Sequence, residues 1–448
     1  MRRLFGTDGV RAEANTKAMR PDAVLKLATA VGSYFTTHHP HQGDHRPIVV
    51  IGKDTRLSGY MVEPALTAGF ISLGMDVLLL GPLPTPAVAL LTHSFRAQLG
   101  VMISASHNPA KDNGIKFFGP EGLKLSDAQE KAIENIYFSD DIPLVHASNM
   151  GKAKRLEDAQ GRYLEFVKGS FPRGLRLDKL KIVVDCANGS AYKIAPRLYW
   201  ELGAEVITLN DQPDGHNIND QCGATHVEGL KKAVLEHKAD VGFALDGDAD
   251  RLIMVDETGV TLDGDQILAA IAMDLHQDNK LKNNIVVATH MSNLGLERYL
   301  KTHGITLVRT GVGDRYVLES MSETDAVLGG EQSGHIILKE FSPTGDGLLA
   351  SLFLLKIMQQ QNRSASLLRK TFSAVPQQLT NVQKSSQILE VKSVQEAIEK
   401  GHELLNGIGR LFIRPSGTED LIRVMVESDK KESLDDVMSK IIQAINAA

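Results

Sequence analysis

Short apolar runs and segments of helical period alternate along most of the chain. Residues 19–35 predict a helix, with Pro21 in the first turn and Val24, Leu27, Ala28, Val31 and Phe35 on one face. Strands are predicted at 48–51, 76–80 and 99–103, separated by a helix within 58–73 and another over 85–95. Pro64 inside the first of these helices predicts a start near Glu63. A βαβαβ order implies a parallel sheet with helices on its faces. After a polar connector, Gly151 to Arg155, the pattern returns as strand 181–185, helix 190–202, strand 205–209, helix 227–237 and strand 240–245. A third round gives strand 285–288, helix 292–303, strand 305–309, helix 314–321 and strand 326–329.

From about residue 371 the pattern changes. A strand over 409–414 precedes a run in which Leu421, Arg423, Met425 and Glu427 alternate with Ile422, Val424 and Val426. Strict alternation predicts a half-buried strand of an antiparallel sheet. Ser433 and Asp436 fit a capping box opening the last helix. The expected architecture is α/β: three consecutive α/β domains with largely parallel sheets, then a C-terminal α+β domain. Boundaries are expected at 1–155, 156–256, 257–370 and 371–448.

Each α/β unit places a polar loop after its third strand: Ser104 to Pro109, Asp246 to Arg251, and Gly330 to His335. Ligands of open α/β sheets bind beyond the carboxyl ends of the strands, so the three loops are expected to face one cleft.

Composition narrows the class without naming it. The 448 residues, 42% hydrophobic and 23% charged, suit a soluble globular protein of three or four domains. A net charge of −6 offers no footprint for nucleic acid. Cys186 and Cys222 lack metal-type spacing, so a reducing compartment is expected. The first residues lack the apolar core of a signal peptide, and the most apolar run, Leu348 to Leu355, is too short to span a bilayer. A cytoplasmic protein without membrane attachment is expected. The histidines of His38 to His45 sit among Pro40 and Gly43 and read as a loop rather than a metal site.

The loops carry the chemistry. Asp246, Asp248 and Asp250 alternate within six residues, and carboxylates so close repel unless a cation holds them; oxygen donors suit Mg²⁺ or Ca²⁺. A helix–loop–helix calcium site is excluded: Arg251 stands where that loop needs glycine, and 252–255 reads as a strand. Arg414-Pro415-Ser416-Gly417-Thr418 offers a guanidinium, hydroxyls and backbone amides to a phosphate, with Arg423 adding charge. Glu331, Ser333 and His335 suit sugar hydroxyls or proton movement, and Lys116 suits an acid/base group or a phosphate clamp. For each there is a plainer reading: turn hydrogen bonds at Ser104, Ser106 and Asn108, a solvated acidic turn, an ordinary hairpin at Arg414, a solvated lysine. No nucleotide-binding phosphate loop, dinucleotide glycine motif or esterase elbow is present.

Taken together, Thr7 to Arg11, Ser104 to Pro109, Asp246 to Arg251, Gly330 to His335 and Arg414 to Glu419 occur in an order that resembles the α-D-phosphohexomutases over the whole chain. Phe5 to Arg11, Lys53 to Gly59, Asp112 to Phe118 and Val312 to Val317 are most similar to the branch acting on amino sugars. The resemblance implies four domains around a central cleft and interconversion of glucosamine 6-phosphate and glucosamine 1-phosphate, toward UDP-N-acetylglucosamine and cell-wall precursors. It makes Ser106 the nucleophile, carried as a phosphoserine, with Ser104 only a neighbour. It implies one Mg²⁺ per chain on Ser106, Asp246, Asp248 and Asp250, and a hexosamine 1,6-bisphosphate as intermediate and activator. It assigns sugar recognition to Glu331 and Ser333, and phosphate binding to Arg414, Ser416, Gly417, Thr418 and Arg423. Arg11, His107, Lys116, Arg251 and His335 match positions that bind phosphate or move protons. The family commonly forms dimers, so a homodimer is implied by resemblance alone. Specificity for glucose or mannose phosphates, a phosphatase, and a sugar-phosphate sensor without turnover stand as the competing readings.

Overall fold

The computed structural model describes residues 4–6, 8–38, 45–139, 142–415 and 421–448. Ser416, Gly417, Thr418 and most of the histidine-rich loop lie outside the described residues.

Four sheets follow one another along the chain. The first has six strands in the order Val10–Glu13, Asp112–Phe118, Leu99–Ile103, Ile48–Lys53, Asp76–Pro82, Ala153–Arg155. Its last four are parallel, and Asp112–Phe118 runs antiparallel to both its neighbours. The second has the order Thr261–Leu262, Leu252–Asp256, Val241–Leu245, Lys181–Asp185, Glu205–Leu209, and the third Thr306–Thr310, Ile285–Thr289, Leu328–Gly330, Ile336–Leu338. The fourth is an antiparallel sheet in the order Gln377–Val382, Ile422–Ser428, Gly409–Pro415.

In each of the first three sheets the third parallel strand turns back into an antiparallel partner: Leu99–Ile103 into Asp112–Phe118, Val241–Leu245 into Leu252–Asp256, Leu328–Gly330 into Ile336–Leu338. The three polar loops are therefore hairpin connections, short and tied at both ends. Of the return strands, only 252–255 was legible, as an unbroken apolar run.

Several expectations need correction. The connector Gly151 to Arg155 contains an exposed edge strand, Ala153–Arg155, paired with Val77 to Leu79. The helix containing Pro64 spans Gly59–Ile71 and starts well before Glu63. Its first turn is carried by Gly59, Tyr60, Met61 and Val62 N–H groups bonding to Arg56, Leu57 and Ser58 carbonyls, and Pro64 itself is exposed. The last helix, Lys431–Ala447, is capped at Lys430 without a side-chain bond, so Ser433 lies inside it and Asp436 pairs with Lys440 instead. A true capping box opens Gly264–Gln277, where Asp263 and Gln266 bond reciprocally. Ile422–Ser428 is antiparallel as expected but buried on both faces: it is the central strand, and Met425 and Glu427 pack inward as well. The run Leu348 to Leu355 forms the buried helix Gly347–Gln361, capped by Asp346.

One continuous apolar cluster runs from Val50 and Val88 through Tyr163 and Phe243 to Leu354, joining the first three units. The C-terminal unit has a cluster of its own around Val394, Val424 and Ile441.

Candidate active site

Every residue of Leu99–Ile103 is buried, so the strand fixes where its loop begins. Ser104 donates its Oγ–H to Asp54 Oδ2 at 2.7 Å and accepts the Ser106 N–H at 2.9 Å. Ser106 is held at φ +51°, a left-handed conformation that costs a non-glycine residue energy. Its Oγ–H donates to Asp246 Oδ2 at 2.6 Å, crossing from the first unit to the second. His107 Nδ1 lies 3.4 Å from the same hydroxyl. Burial, with Arg251 and Arg11 nearby, pushes the His107 pKa down to about 4, so its ring is neutral near pH 7.

The loop Asp246 to Arg251 brings three buried carboxylates together, one oxygen of each lying within 4.8 Å of the others. Asp248 Oδ1 and Asp250 Oδ1 are buried with no hydrogen-bond partner among the described residues. Burial, then Asp250 and Asp248, push Asp246 well above the usual carboxylate range. Burial also pushes Asp250 up, but Lys116 and His335 outweigh it and hold Asp250 well below that range. Such a set of oxygens is what a divalent cation would satisfy.

Lys116, on Asp112–Phe118, is 2% exposed, which rules out the solvated lysine. Its Nζ lies 2.9 Å from Asp248 Oδ2, 3.1 Å from Asp250 Oδ2 and 3.3 Å from Asp8 Oδ2. Burial opposes its charge, but the three carboxylates win and hold its pKa well above the ordinary value. Arg11 donates to Asp8 at 2.5 Å and to the Ala105 carbonyl at 3.3 Å. Arg251 lies 3.9 Å from Asp250 Oδ1, and its backbone bridges that of His335, joining the second and third units. His335 is buried, its Nδ1 3.7 Å from Asp250 and its Nε2 3.6 Å from Asp314. Gly345 N–H donates to His335 Nε2 at 3.0 Å, which selects the Nδ1–H tautomer of the neutral ring, while the two carboxylates raise its pKa against burial.

Glu331 accepts the Gly313 N–H at 3.0 Å, and the exposed Ser333 hydroxyl donates to it at 3.3 Å. Across from them, Arg414 and Arg423 stand directly opposite one another on paired strands. Both Nε atoms are buried with no partner among the described residues. Burial and Arg423 lower the Arg414 pKa, while Glu331 raises it. Two adjacent guanidiniums whose Nε atoms have no hydrogen-bond partner among the described residues make a cradle that suits an anion.

Sequence reasoning passed over several residues that the fold brings here. Thr85 donates to Asp248 Oδ2 at 2.5 Å. Lys124 bridges Asp8 and Asp314, tying the first unit to the third. Lys124 follows a turn with no periodicity, so only the pairing reveals it.

The four units match, in order, the phosphoglucomutase/phosphomannomutase α/β/α domain I over residues 2–143, domain II over 161–259, domain III over 263–374 and the C-terminal domain over 377–444. A phosphoglucosamine mutase of Rhodospirillum centenum is 57% identical over all of this chain and 96% of its own length. One of Zymomonas mobilis is 56% identical over all of this chain and 99% of its own. Among solved structures, a phosphoglucomutase/phosphomannomutase family protein of Burkholderia thailandensis superposes with a TM-score of 0.83 at 23% identity, covering 99% of this chain and 97% of that one. An Aspergillus fumigatus N-acetylphosphoglucosamine mutase gives 0.69 at 19% identity, over all of this chain and 96% of that one.

Proposed function

The chain belongs to the phosphoglucomutase/phosphomannomutase family, and from that premise we propose that it interconverts glucosamine 6-phosphate and glucosamine 1-phosphate through a phosphoserine at Ser106. The observation that carries the reading is the Ser106 hydroxyl, held 2.6 Å from Asp246 at the edge of the three-carboxylate cluster. Phospho-Ser106 gives its phosphoryl group to O1 of glucosamine 6-phosphate, the O1 proton leaving and the Ser106 oxygen taking one up. The sugar of the resulting 1,6-bisphosphate turns over, and its 6-phosphoryl group returns to Ser106. Arg414 and Arg423 hold whichever phosphate is not reacting, and Glu331 and Ser333 meet the sugar hydroxyls. Ser416, Gly417 and Thr418 complete that phosphate site in the same reading.

The two carboxylate oxygens of Asp248 and Asp250 that accept no hydrogen bond among the described residues fit a hard divalent cation, so Asp246, Asp248, Asp250 and the phosphoserine would hold Mg²⁺. When bound, the ion draws charge from the phosphoryl oxygens. A phosphoserine brings about −1.5 to −2 charges at neutral pH, and Lys116, Arg11 and Arg251 supply fixed positive charge around it. His107 Nδ1 sits 3.4 Å from Ser106 Oγ, within reach of the phosphoryl group. His335 keeps Asp250 and Asp314 in place. Among the described residues no helix is long and apolar enough to cross a membrane. A cytoplasmic homodimer feeding UDP-N-acetylglucosamine synthesis belongs to the same proposal.

Phosphorus NMR with Mg²⁺ and a trace of hexose bisphosphate tests it directly. Glucosamine 6-phosphate should be converted to its 1-phosphate with a higher kcat/KM than glucose or mannose 6-phosphate. Ser106→Ala should abolish turnover while leaving the fold intact. Near-normal kcat in that variant would remove Ser106 from the mechanism, and release of inorganic phosphate alone would make the protein a phosphatase.

A further inference from the structure

The loop that bears Ser106 closes over a residue with no part in the chemistry above. Arg56 is 1% exposed. Its Nε donates to Asp54 Oδ2 at 2.8 Å and its backbone N–H to Asp54 Oδ1 at 3.0 Å. Its terminal nitrogens donate to four main-chain carbonyls of the loop: Nη1 to Pro109 and, at 3.0 Å, to Asp112; Nη2 to Ser106 at 3.0 Å and Asn108 at 2.8 Å. Two of these carbonyls receive a second donor from the neighbouring unit: Asn219 Nδ2 lies 2.9 Å from Ser106 O and 3.1 Å from Asn108 O.

The flanks of Arg56 are docked on that same unit. Thr55 donates its hydroxyl to the Asn188 carbonyl, and Leu57 N–H bonds to Gly215 O at 3.0 Å. Asp54 also takes the Ser104 hydroxyl, which in turn takes the Ser106 N–H, so carbonyl and amide of Ser106 are both fixed. Gly247, in the acidic loop, comes so close that a Cβ there would meet Ser106 O at 2.6 Å. A serine at φ +51° persists only where its surroundings over-determine the backbone. Converging carbonyl oxygens also repel one another unless a donor with several N–H groups in one plane satisfies them. A guanidinium is that donor; an ammonium, with three tetrahedral hydrogens, is not.

We propose that Arg56 and Asn219 are positioning residues for the phosphoryl carrier. Together they clamp the 106–112 carbonyls from two domains, which holds Ser106 left-handed and aims its Oγ at the acidic cluster. This rests on Ser106 being the phosphoryl carrier, and the test separates the two. In wild type, Arg56→Lys and Asn219→Ala, the phosphate on Ser106 is quantified by peptide mass mapping, and kcat and KM for glucosamine 6-phosphate are measured per folded, phosphorylated enzyme. A misplacement near 1 Å costs roughly 10²-fold, so Arg56→Lys should lower kcat by about that factor. Asn219→Ala, which leaves Arg56 in place, should lower it by roughly tenfold, with KM of both variants within about threefold of wild type. Methylguanidinium added to Arg56→Ala should recover part of the lost kcat. A kcat within about threefold of wild type in both variants overturns the proposal, as does a fall that disappears once the unfolded fraction is subtracted. A wild-type enzyme that turns over with no phosphate on Ser106 removes the underlying reading instead.

Discussion

The two ends of the proposed active site are built on opposite plans. At the nucleophile end, Ser106, Asp246, Lys116 and Arg11 are paired before any substrate arrives, and two of the pairs, Ser106–Asp246 and Lys116–Asp248, cross from the first domain to the second. At the other end, Arg414 and Arg423 face each other with their Nε atoms unpartnered among the described residues. The supporting frames differ in the same way. The first three domains share one apolar cluster, whereas the C-terminal domain has its own and meets the third through polar contacts: Asn293 with Val375, Leu294 N–H with Glu427, Arg410 with the Ser292 carbonyl. In the proposed mechanism the groups that act on the transferred phosphoryl are preorganised, so no reorganisation is left for the moment of reaction. The groups proposed only to hold a phosphate are left short of a partner, which the substrate would supply.

The largest effect should come from breaking the preorganised end. Asp248→Asn keeps a side chain that can still accept from Thr85 but removes one charge from the cluster. Several kcal/mol of charge stabilisation are at stake, so kcat should fall by roughly 10³-fold. The Mg²⁺ concentration for half-maximal activity should rise in the same titration. An unchanged Mg²⁺ dependence would mean the carboxylates serve Lys116 and Thr85 rather than a cation.

At the cradle, the expected effect is smaller and falls on a different constant. Arg423→Ala removes one charge-assisted contact to a non-reacting phosphate, about 1.5–3 kcal/mol, or roughly 10- to 100-fold in KM. Because that phosphate is bound alike in the ground and transition states, kcat should change little. Equal losses in kcat would show that this end also acts on the reacting group, and the contrast would collapse.

How far the sequence discloses this arrangement follows from what each element depends on. The parallel strands were legible because buried strands read as unbroken apolar runs, as in Leu99–Ile103 and Val241–Leu245. Asp112–Phe118 was not: from Asn113 on its residues are buried on both faces, yet it carries Asn113 and Lys116, whose burial only the pairing with Leu99–Ile103 and Val10–Glu13 explains. The acidic loop announced itself by charge repulsion within six residues, a local signal. The Asp54–Arg56 clamp, Asn219, and the Lys124 bridge to Asp8 and Asp314 join residues far apart in the chain, and no spacing rule predicts them. Met425 and Glu427 misled for a related reason: alternation reports one wet face, and here the third domain covers that face.

The smallest effect concerns the polar joint on which the cradle rides. Asp265 Oδ2 accepts the Asn293 N–H at 2.7 Å, and Asn293 in turn exchanges two hydrogen bonds with Val375 at the entry to the C-terminal domain. Burial, then Asp263, push the Asp265 pKa from 3.8 up to about 7. Between those values the folded protein keeps a proton that the unfolded chain has released. Stability therefore falls as pH rises through that window, and the deficit is complete above about pH 7. A neutral amide in place of this carboxyl mimics the protonated acid at every pH, so Asp265→Asn should flatten the dependence. Its Tm should lie near that of wild type at pH 4.5, and above it by a few degrees at pH 8, where up to a few kcal/mol are at stake. The outcome bears on the contrast itself. A variant with the same pH slope as wild type would mean the ionised carboxylate is already satisfied, and the joint beneath the cradle would then be as fully paired as the loop that carries Ser106.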